Sequence, residues 1–578
     1  MSPSLYFDYT DVQGTKKPMC FENPHVVITA RTIEEVIPSL NKVQEFVNAG
    51  YYAAGYVSYE AAPAFDQAFQ VNEHQKMPLL WFGVFEKPIN KEIKNDNMED
   101  FHTTDWVPQT NVKNYNKSIS KIKAYIEQGD TYQVNYTIRM YSRFFGNSYS
   151  YFQQLAKRQA ANYSAYLDIG DYTILSASPE LFFHLKNGKI TTKPMKGTVE
   201  RGETSKEEQK NADWLYHSEK NRAENVMIVD LLRNDLGTIA KTGSVKVPEL
   251  FTIEAYPTVF QMTSTVTAEI SPQKDLTDIF KALFPCGSIT GAPKISTMKI
   301  IKELEPAPRE VYCGTIGFIT PEQEAVFNVP IRTVLIDNHT NKAQYGVGGG
   351  ITWDSTEKEE YEEVITKAKV LQVNNENFQL LETIGLVDGE LLVLNEHLER
   401  LKQSAEYFHY RLDLDLIKSK LLSYERKNPA NHWKLRLLLE KDGSIIIEEK
   451  EISPFLTSQP VKLSGVPIDK NNLFLYHKTT NRTTYQSISD QHPDVTDVLL
   501  WNENREVTEF TIGNVVVELD GNLYTPPVTC GLLPGTYREV LLNDGIITER
   551  IIRMEELAIC SNIWLINSVR KWVPVHFI

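Results

Sequence analysis

The chain has 578 residues, 42% apolar and 23% charged, with a formal net charge of -15. That length is too great for one core, so two or more domains are expected, and the acidic balance argues against a nucleic-acid or anionic-membrane partner. The five cysteines, Cys20, Cys286, Cys313, Cys530 and Cys560, are scattered and include no Cys-x-x-Cys pair, which fits a reducing compartment and gives no disulfide framework or zinc site. No basic stretch followed by an apolar run opens the sequence, and no run of about 18 apolar residues occurs, so a cytoplasmic protein is expected.

Residues 1–110 alternate short apolar runs with turns. The segments 51–60 and 79–85 read as strands, and 32–48 as a helix with Ile33, Val36, Leu40 and Val43 at helical spacing. The polar stretch 87–104 reads as a surface connection. Residues 114–128 read as a helix stopped at Gly129, and Gln133 then falls on a strand. Glu180 follows Pro179 at a strand start, where a carboxyl can act as a general acid toward a departing hydroxyl. A strand-like run, 182–190, leads into Thr192-Lys193-Pro194-Met195-Lys196-Gly197-Thr198. Pro194 and Gly197 bracket Lys196, so the reading is a lysine on a turn, nucleophilic if burial lowers its pKa and otherwise a surface residue.

Residues 206–235 read as one long helix carrying Glu224, and 355–372 as another carrying Glu360, Glu363 and Lys367 three and four apart. Either could be an ordinary solvated face. Thr290-Gly291-Ala292-Pro293 reads as a helix opening, whose free N–H groups can hold an anion. Gly348 and Gly349 let backbone N–H groups approach a ligand, and Arg332 can clamp a carboxylate.

In order, Gly129–Asn135, Ser176–Glu180, the Lys196 segment, Ala223–Gly237, Gly287–Lys294 and Gly348–Ile351 resemble the chorismate-binding family. The Pro-Met-Lys-Gly-Thr form resembles its aminodeoxychorismate synthase branch; anthranilate synthases usually carry a small residue where Lys196 stands. The resemblance covers about residues 110–370. It implies chorismate as substrate, Lys196 as nucleophile with Glu180 opposite it, Mg²⁺ held by Glu224 and Glu363, and substrate contacts from Gln133, Thr290, Tyr312, Arg332, Gly348, Gly349 and Lys367. At Gln133 relatives that add water carry a lysine base, so a neutral amide there removes that chemistry. Gln261 stands where some relatives have a histidine. No Gly-x-Cys-x-Gly elbow is present, so a separate glutamine amidotransferase subunit is expected to supply ammonia.

After residue 373 the pattern restarts. Residues 378–391 read as strand, Asp388-Gly389 turn and strand. His397 to Tyr407 reads as a helix with Leu398, Leu401, Ala405 and Phe408 on one stripe and His397, Arg400 and Ser404 on the next. With Lys478-Thr479-Thr480-Asn481-Arg482, Val507–Asn514 and Leu532–Arg538, these resemble the fold-type IV pyridoxal phosphate enzymes of aminotransferase class IV, in a form similar to the aminodeoxychorismate lyases. Such a cofactor needs a lysine, an acidic partner for the pyridine nitrogen and a phosphate cradle. The resemblance implies Lys478 for the first, Glu509 for the second, and Arg400, Thr511, Ile512 and Thr536 for the third. Arg436 could meet a substrate carboxylate. The usual Gly-Asp-rich lead into this domain is replaced by 374–379.

The expected architecture is mixed α and β in several domains. A two-sheet β-sandwich flanked by helices is built from 1–110 and the catalytic segment 111–373, and a fold-type IV domain of two α/β subdomains follows at 374–578. The expected function is 4-aminobenzoate synthesis for folate, by amination of chorismate and elimination of pyruvate. The alternatives are an anthranilate synthase-like first half with a class IV amino-acid transaminase, and a scaffold with one degenerate half. A homodimer through the C-terminal domain is a family expectation.

Overall fold

The computed structural model describes residues 3–10, 15–89, 100–159, 161–202, 205–256, 259–371, 378–408, 410–428, 430–453 and 457–578. The segment 374–377, most of the connection 87–104 and the pair 257–258 beside Gln261 therefore lie wholly or largely outside it. The chain divides into one compact unit of Met1–Arg201 with Gln209–Val373 and a second of Gly202–Glu208 with Asn374–Ile578. Among the described residues no helix is long and apolar enough to cross a membrane.

The first unit holds two ten-stranded sheets. One runs Gly291–Ala292, Gln133–Gly146, Lys342–Ile351, Thr333–Asp337, Tyr172–Ser178, Tyr163–Asp168, Ser4–Thr10, Lys16–Glu22, with Phe101–Thr103 and Val107–Pro108 also paired to Gln133–Gly146. The other runs Met195–Glu200, Val259–Glu269, Lys189–Lys193, Leu181–Lys186, Ala325–Asn328, Thr315–Ile319, Tyr52–Val57, Leu80–Phe85, Val26–Ala30, with Lys246–Ala255 also paired to Val259–Glu269. Early strands thus pair with late ones: Ser4–Thr10 with Tyr163–Asp168, and Tyr52–Val57 with Thr315–Ile319. Leu5, Phe7, Phe21, Tyr56, Ile174, Ile316 and Phe318, from both sheets, form one buried cluster. The opposite faces are covered by helices: Ile33–Asn48, Glu219–Gly237 and Leu276–Leu283 pack with the second sheet, and Val112–Glu127, Ser148–Gln159 and Glu357–Ala368 with the first. Alternating side-chain direction gives each sheet two apolar faces, which is why its strands read as near-continuous apolar runs.

Four local readings are corrected. Residues 182–190 are not one strand but parts of two, Leu181–Lys186 and Lys189–Lys193, turned at Asn187-Gly188, both with positive φ. The helix read over 206–235 breaks at Ser218, whose side chain accepts from the Asn221 N–H and caps a new helix, Glu219–Gly237. The strand read over 51–60 ends at Val57, and Glu60 lies in a 3₁₀ turn, Tyr59–Ala64. Thr290 does not open a helix: Gly291–Ala292 pairs as an edge strand, and Pro293 caps the helix Lys294–Leu304.

In the second unit a four-stranded antiparallel sheet runs Glu390–Leu391, Leu380–Val387, His432–Leu439, Ile445–Glu451. Leu380, Ile384, Leu386, Leu435, Leu437 and Leu439 turn one face onto helices Leu394–Phe408 and Leu414–Lys427. The remaining sheet has eight strands, and six of them close on themselves because Val507–Phe510 also pairs with Gly513–Leu519. Val461, Leu499, Val507, Phe510, Val515 and Leu565 cluster in its core. Leu437 is fully buried, so Leu437→Ala should lower the stability of this unit by about 2–5 kcal/mol, read from its transition in guanidinium titrations.

Candidate active sites

Lys196 does not sit on a turn. It lies on the strand Met195–Glu200, where pairing with Val259–Glu269 loses register between Met195 and Thr198. Gly197 has φ +95, the left-handed region glycine favours, and an added Cβ would press on Asn221. Asn225 on that helix holds the bulge: its Nδ2 donates to the Lys196 carbonyl, and its Oδ1 accepts from the Ser264 hydroxyl. Lys294, inside the Gly287–Lys294 motif, pairs with Asp235 at 3.1 Å near the helix's other end.

Around the Lys196 ammonium stand Glu224, Lys367, Glu180 and Glu363, in that order of influence after burial. Burial wins and pushes the lysine pKa down, so the neutral amine a nucleophile requires is favoured. Glu180 is buried, which raises its pKa to about 7 against the Ser288 hydroxyl and Lys196; Ser288 Oγ donates to Glu180 Oε1 at 2.6 Å. Burial also raises Glu224. Glu363 is instead held low by Lys367, whose Nζ lies 2.5 Å from Glu363 Oε1 and donates to the Gly348 carbonyl at 2.9 Å. The charge of Arg332 also reaches Glu363.

The glycines of Lys342–Ile351 set the spacing. A Cβ on Gly350 would lie 2.1 Å from Gln133 Nε2 and 2.6 Å from Lys196 Nζ, so both side chains rest on that bare backbone. A Cβ on Gly349 would lie 3.1 Å from Glu360 Oε2 and 3.7 Å from Glu363 Oε1. On Gly348 it would meet the Tyr136 carbonyl at 2.1 Å. Gln133 Nε2 donates toward Glu224 at 3.5 Å, while its buried Oε1 has no partner. Thr290 and Tyr312 serve the frame: the Thr290 hydroxyl donates to the Cys286 and Gly287 carbonyls, and the Tyr312 ring packs under Gly346 with the Arg139 guanidinium above it.

In the second unit a cavity of about 410 Å³ is lined by Lys478, Arg400, Glu509 and Thr536, among others. Lys478 lies in an extended segment bonded to the start of Leu380–Val387, through Lys478 O to the Leu381 N–H and Gln379 O to the Thr480 N–H. Burial, with Arg400 and Arg482 nearby, lowers its pKa to about 7. Burial raises Glu509 to about 7 although Tyr485 Oη, Asn514 Nδ2 and the Leu533 N–H all donate to it. Arg400 is held by Glu382 through Nε and Nη2 and by the Pro534 carbonyl through Nη1. Three of its five donors are thereby engaged and two remain. Burial alone would raise Glu382, but Arg400 and His397 hold it at about 2. His397 Nε2 in turn meets Thr536 Oγ1 at 3.3 Å, at the start of the helix Thr536–Asn543.

Thr511 and Ile512 do not offer free donors. Both line the cavity, but the Thr511 N–H and hydroxyl and the Ile512 N–H all donate to the buried Asp497 carboxylate. The sequence reading also missed Ser288, Gly350, Glu382, Tyr485 and Asn514. Glu382 carries a visible signal, a lone carboxylate between Leu380-Leu381 and Ile384 in an apolar strand.

The profile for chorismate binding enzymes matches residues 9–373, and that for amino-transferase class IV matches residues 379–578. The chain belongs to the chorismate-binding enzyme family. It is 42% identical over 270 residues to aminodeoxychorismate synthase component 1 of Escherichia coli K12, covering 46% of this chain and 59% of that one. It is 38% identical over 266 residues to anthranilate synthase component 1 of Aquifex aeolicus VF5, covering 46% and 53%. The chain thus spans a little over half the length of these relatives. Anthranilate synthase component I from Streptococcus pneumoniae TIGR4 superposes with a TM-score of 0.52 at 26% identity, over 64% of this chain and 92% of that one.

The Gly350→Ala contacts are ends of side chains rather than backbone. That variant should fold with a near-native melting curve yet lose roughly 100-fold or more in turnover at the Lys196 site, because small displacements of reacting groups cost that much. Gly348→Ala, which meets a backbone carbonyl, should instead lower the melting temperature.

Proposed function

We propose that the chain makes 4-aminobenzoate from chorismate, the first unit aminating it to 4-amino-4-deoxychorismate and the second eliminating pyruvate. The observation that carries this reading is Lys196: a buried amine of lowered pKa, backed by Gln133 rather than a second lysine, with the protonatable Glu180 beside it. We read the first unit as a two-sheet sandwich divided at about 110 into its opening part and its catalytic part, and the second, from 374, as two α/β subdomains.

In the first step Lys196 Nζ bonds to C2 as both conjugated ring double bonds shift toward C4 and the C4 hydroxyl leaves as water with the Glu180 proton. Ammonia then bonds to C4, both double bonds shift back, and the C2–N bond breaks to release Lys196. Gln133 in place of a base leaves water unactivated. The N–H groups of the Gly348–Gly349 strand and the Arg332 guanidinium receive carboxylates. Among the described residues no group of three His, Cys, Asp or Glu side chains could hold a metal. Glu224 and Glu363 share one site, and two carboxylates suit Mg²⁺, which keeps water and substrate oxygens in its shell; there it would neutralise the substrate carboxylate. Ammonia comes from a glutamine amidotransferase subunit.

In the second unit the residues fit pyridoxal phosphate: Lys478 as its attachment, Glu509 for the ring nitrogen, and Arg400 with the Thr536 helix start for the phosphate. When bound, that group supplies an electron sink for the substrate amine. Lys478, poised near neutrality, takes the proton from C4, and the ring aromatises as pyruvate departs.

Anthranilate synthase chemistry is the second reading, favoured by the Aquifex relative and opposed by Lys196. The test supplies chorismate, Mg²⁺, ammonium and pyridoxal phosphate to the purified chain. Equal 4-aminobenzoate and pyruvate are expected; 2-aminobenzoate would overturn the reading. Lys196→Ala should abolish both products, and Lys478→Ala should accumulate aminodeoxychorismate. First-step rate against pH should be bell-shaped, falling above about pH 7 as Glu180 loses its proton and at low pH as Lys196 gains one. Glu180→Gln should leave a slow enzyme without the alkaline limb.

A further inference from the structure

The cavity that holds Lys478 has a second charged region. Lys434 and Arg436 lie two apart on His432–Leu439, so they share the face opposite Leu435, Leu437 and Leu439, which pack on the helices. That face lines the cavity, with Thr383 from the neighbouring strand. Gly385, paired with Lys434, is where the turn Ser568-Val569-Arg570 packs: a Cβ there would lie 2.8 Å from the Ser568 carbonyl and 3.2 Å from Val569 Cα. Ser568 Oγ donates to the Thr383 carbonyl, and Arg570 Nη1 donates to the Ser453 carbonyl at 2.9 Å, fixing its guanidinium at the same cavity.

The local charge is unbalanced. Lys450 stands opposite Lys434 in register and Glu448 opposite Arg436, to which it is paired at 3.0 Å. Lys434 is half-buried and, among the described residues, forms no ion pair. The nearby cations Lys450, Arg436 and Arg570, after burial, lower its pKa. A half-buried ammonium among like charges is costly unless an anion joins it.

The region is also set apart from the reacting lysine. The charges that bear most on Lys478 are Arg400, Arg482, Glu382 and Glu509, and Lys434, Arg436 and Arg570 are not among them. An α-amino acid carries its amine and carboxylate on one carbon and would need its cation beside Lys478. A cyclohexadiene aminated at C4 carries one carboxylate across the ring and another on the enol ether arm.

We propose that Lys434, Arg436 and Arg570 form the receiving wall for the carboxylates of a dianionic ring substrate and set this cavity's preference for it over α-amino acids. The inference rests on the elimination assigned to the second unit above. Lys434 is the sharpest probe, since Arg436 already has Glu448.

The test uses the full chain loaded with pyridoxal phosphate and supplied with 4-amino-4-deoxychorismate. In Lys434→Ala and Arg570→Ala, KM should rise roughly tenfold each while kcat stays within about threefold, the loss of one charged hydrogen bond. Lys434→Arg should restore KM, and the visible absorbance of bound cofactor should not change. Competitive inhibition by 3-(carboxymethoxy)benzoate, a dianion, should weaken about tenfold more than inhibition by benzoate. Unchanged KM in both alanine variants, equal weakening of both inhibitors, or loss of kcat together with cofactor absorbance would each overturn the proposal. If the unaltered chain releases no 4-aminobenzoate yet transaminates D-alanine, the elimination itself falls, and the wall's assignment with it.

Discussion

An ammonium ion taken out of water loses solvation that only nearby charge can restore. Lys196 and Lys478 are both placed under that constraint, and for both burial is the largest influence on the pKa. Each has carboxylates close by: Glu224, Glu180 and Glu363 around the first, Glu382 and Glu509 near the second. In each site those carboxylates are partly committed elsewhere. Lys367 holds Glu363, Ser288 binds Glu180, and Arg400 holds Glu382. The lysines are thus left with less compensation than their surroundings contain, and both pKa values fall, that of Lys478 to about 7.

The carboxylates share this logic with opposite sign. Glu180 and Glu509 are each raised to about 7 by burial, against hydroxyl donors from Ser288 and Tyr485. Where strong cations meet a carboxylate, as at Glu382, the result reverses and it stays ionised. One chain therefore contains acids poised to give protons and acids fixed as charges, separated by which partner the fold brings close.

Much of this was legible in sequence where a motif fixes both residue and backbone. Lys196, Glu224, Glu363 and Lys478 were singled out because their neighbours are as distinctive as they are, and Glu224 and Glu363 are among the charges that act on Lys196. The turn expected at Lys196 was not found, because Pro194 and Gly197 there serve an interruption between two strands and a bulge, which sequence cannot distinguish from a turn. That the N–H groups of Thr511 and Ile512 are occupied was not legible, because the carboxylate that holds them, Asp497, is 14 residues from Thr511. Ser288 and Gly350 were inside quoted motifs but acquire meaning only from contacts over 108 residues and from a clash that a side chain would create.

The order of strands in the first unit also has a consequence for synthesis. Gln133–Gly146 lies beside Lys342–Ile351 in the sheet, and Gln133 rests on Gly350. A ribosome must therefore release some 200 further residues after Gln133 before the strand that completes its site emerges. Through that interval the long strand lacks that neighbour and the helix Glu357–Ala368 that covers the sheet, leaving a bare edge of the kind that invites pairing with another nascent chain. The glycine run that closes the gap is also among the last pieces of this unit to be made, so the Lys196 site and the protection of that edge arrive together.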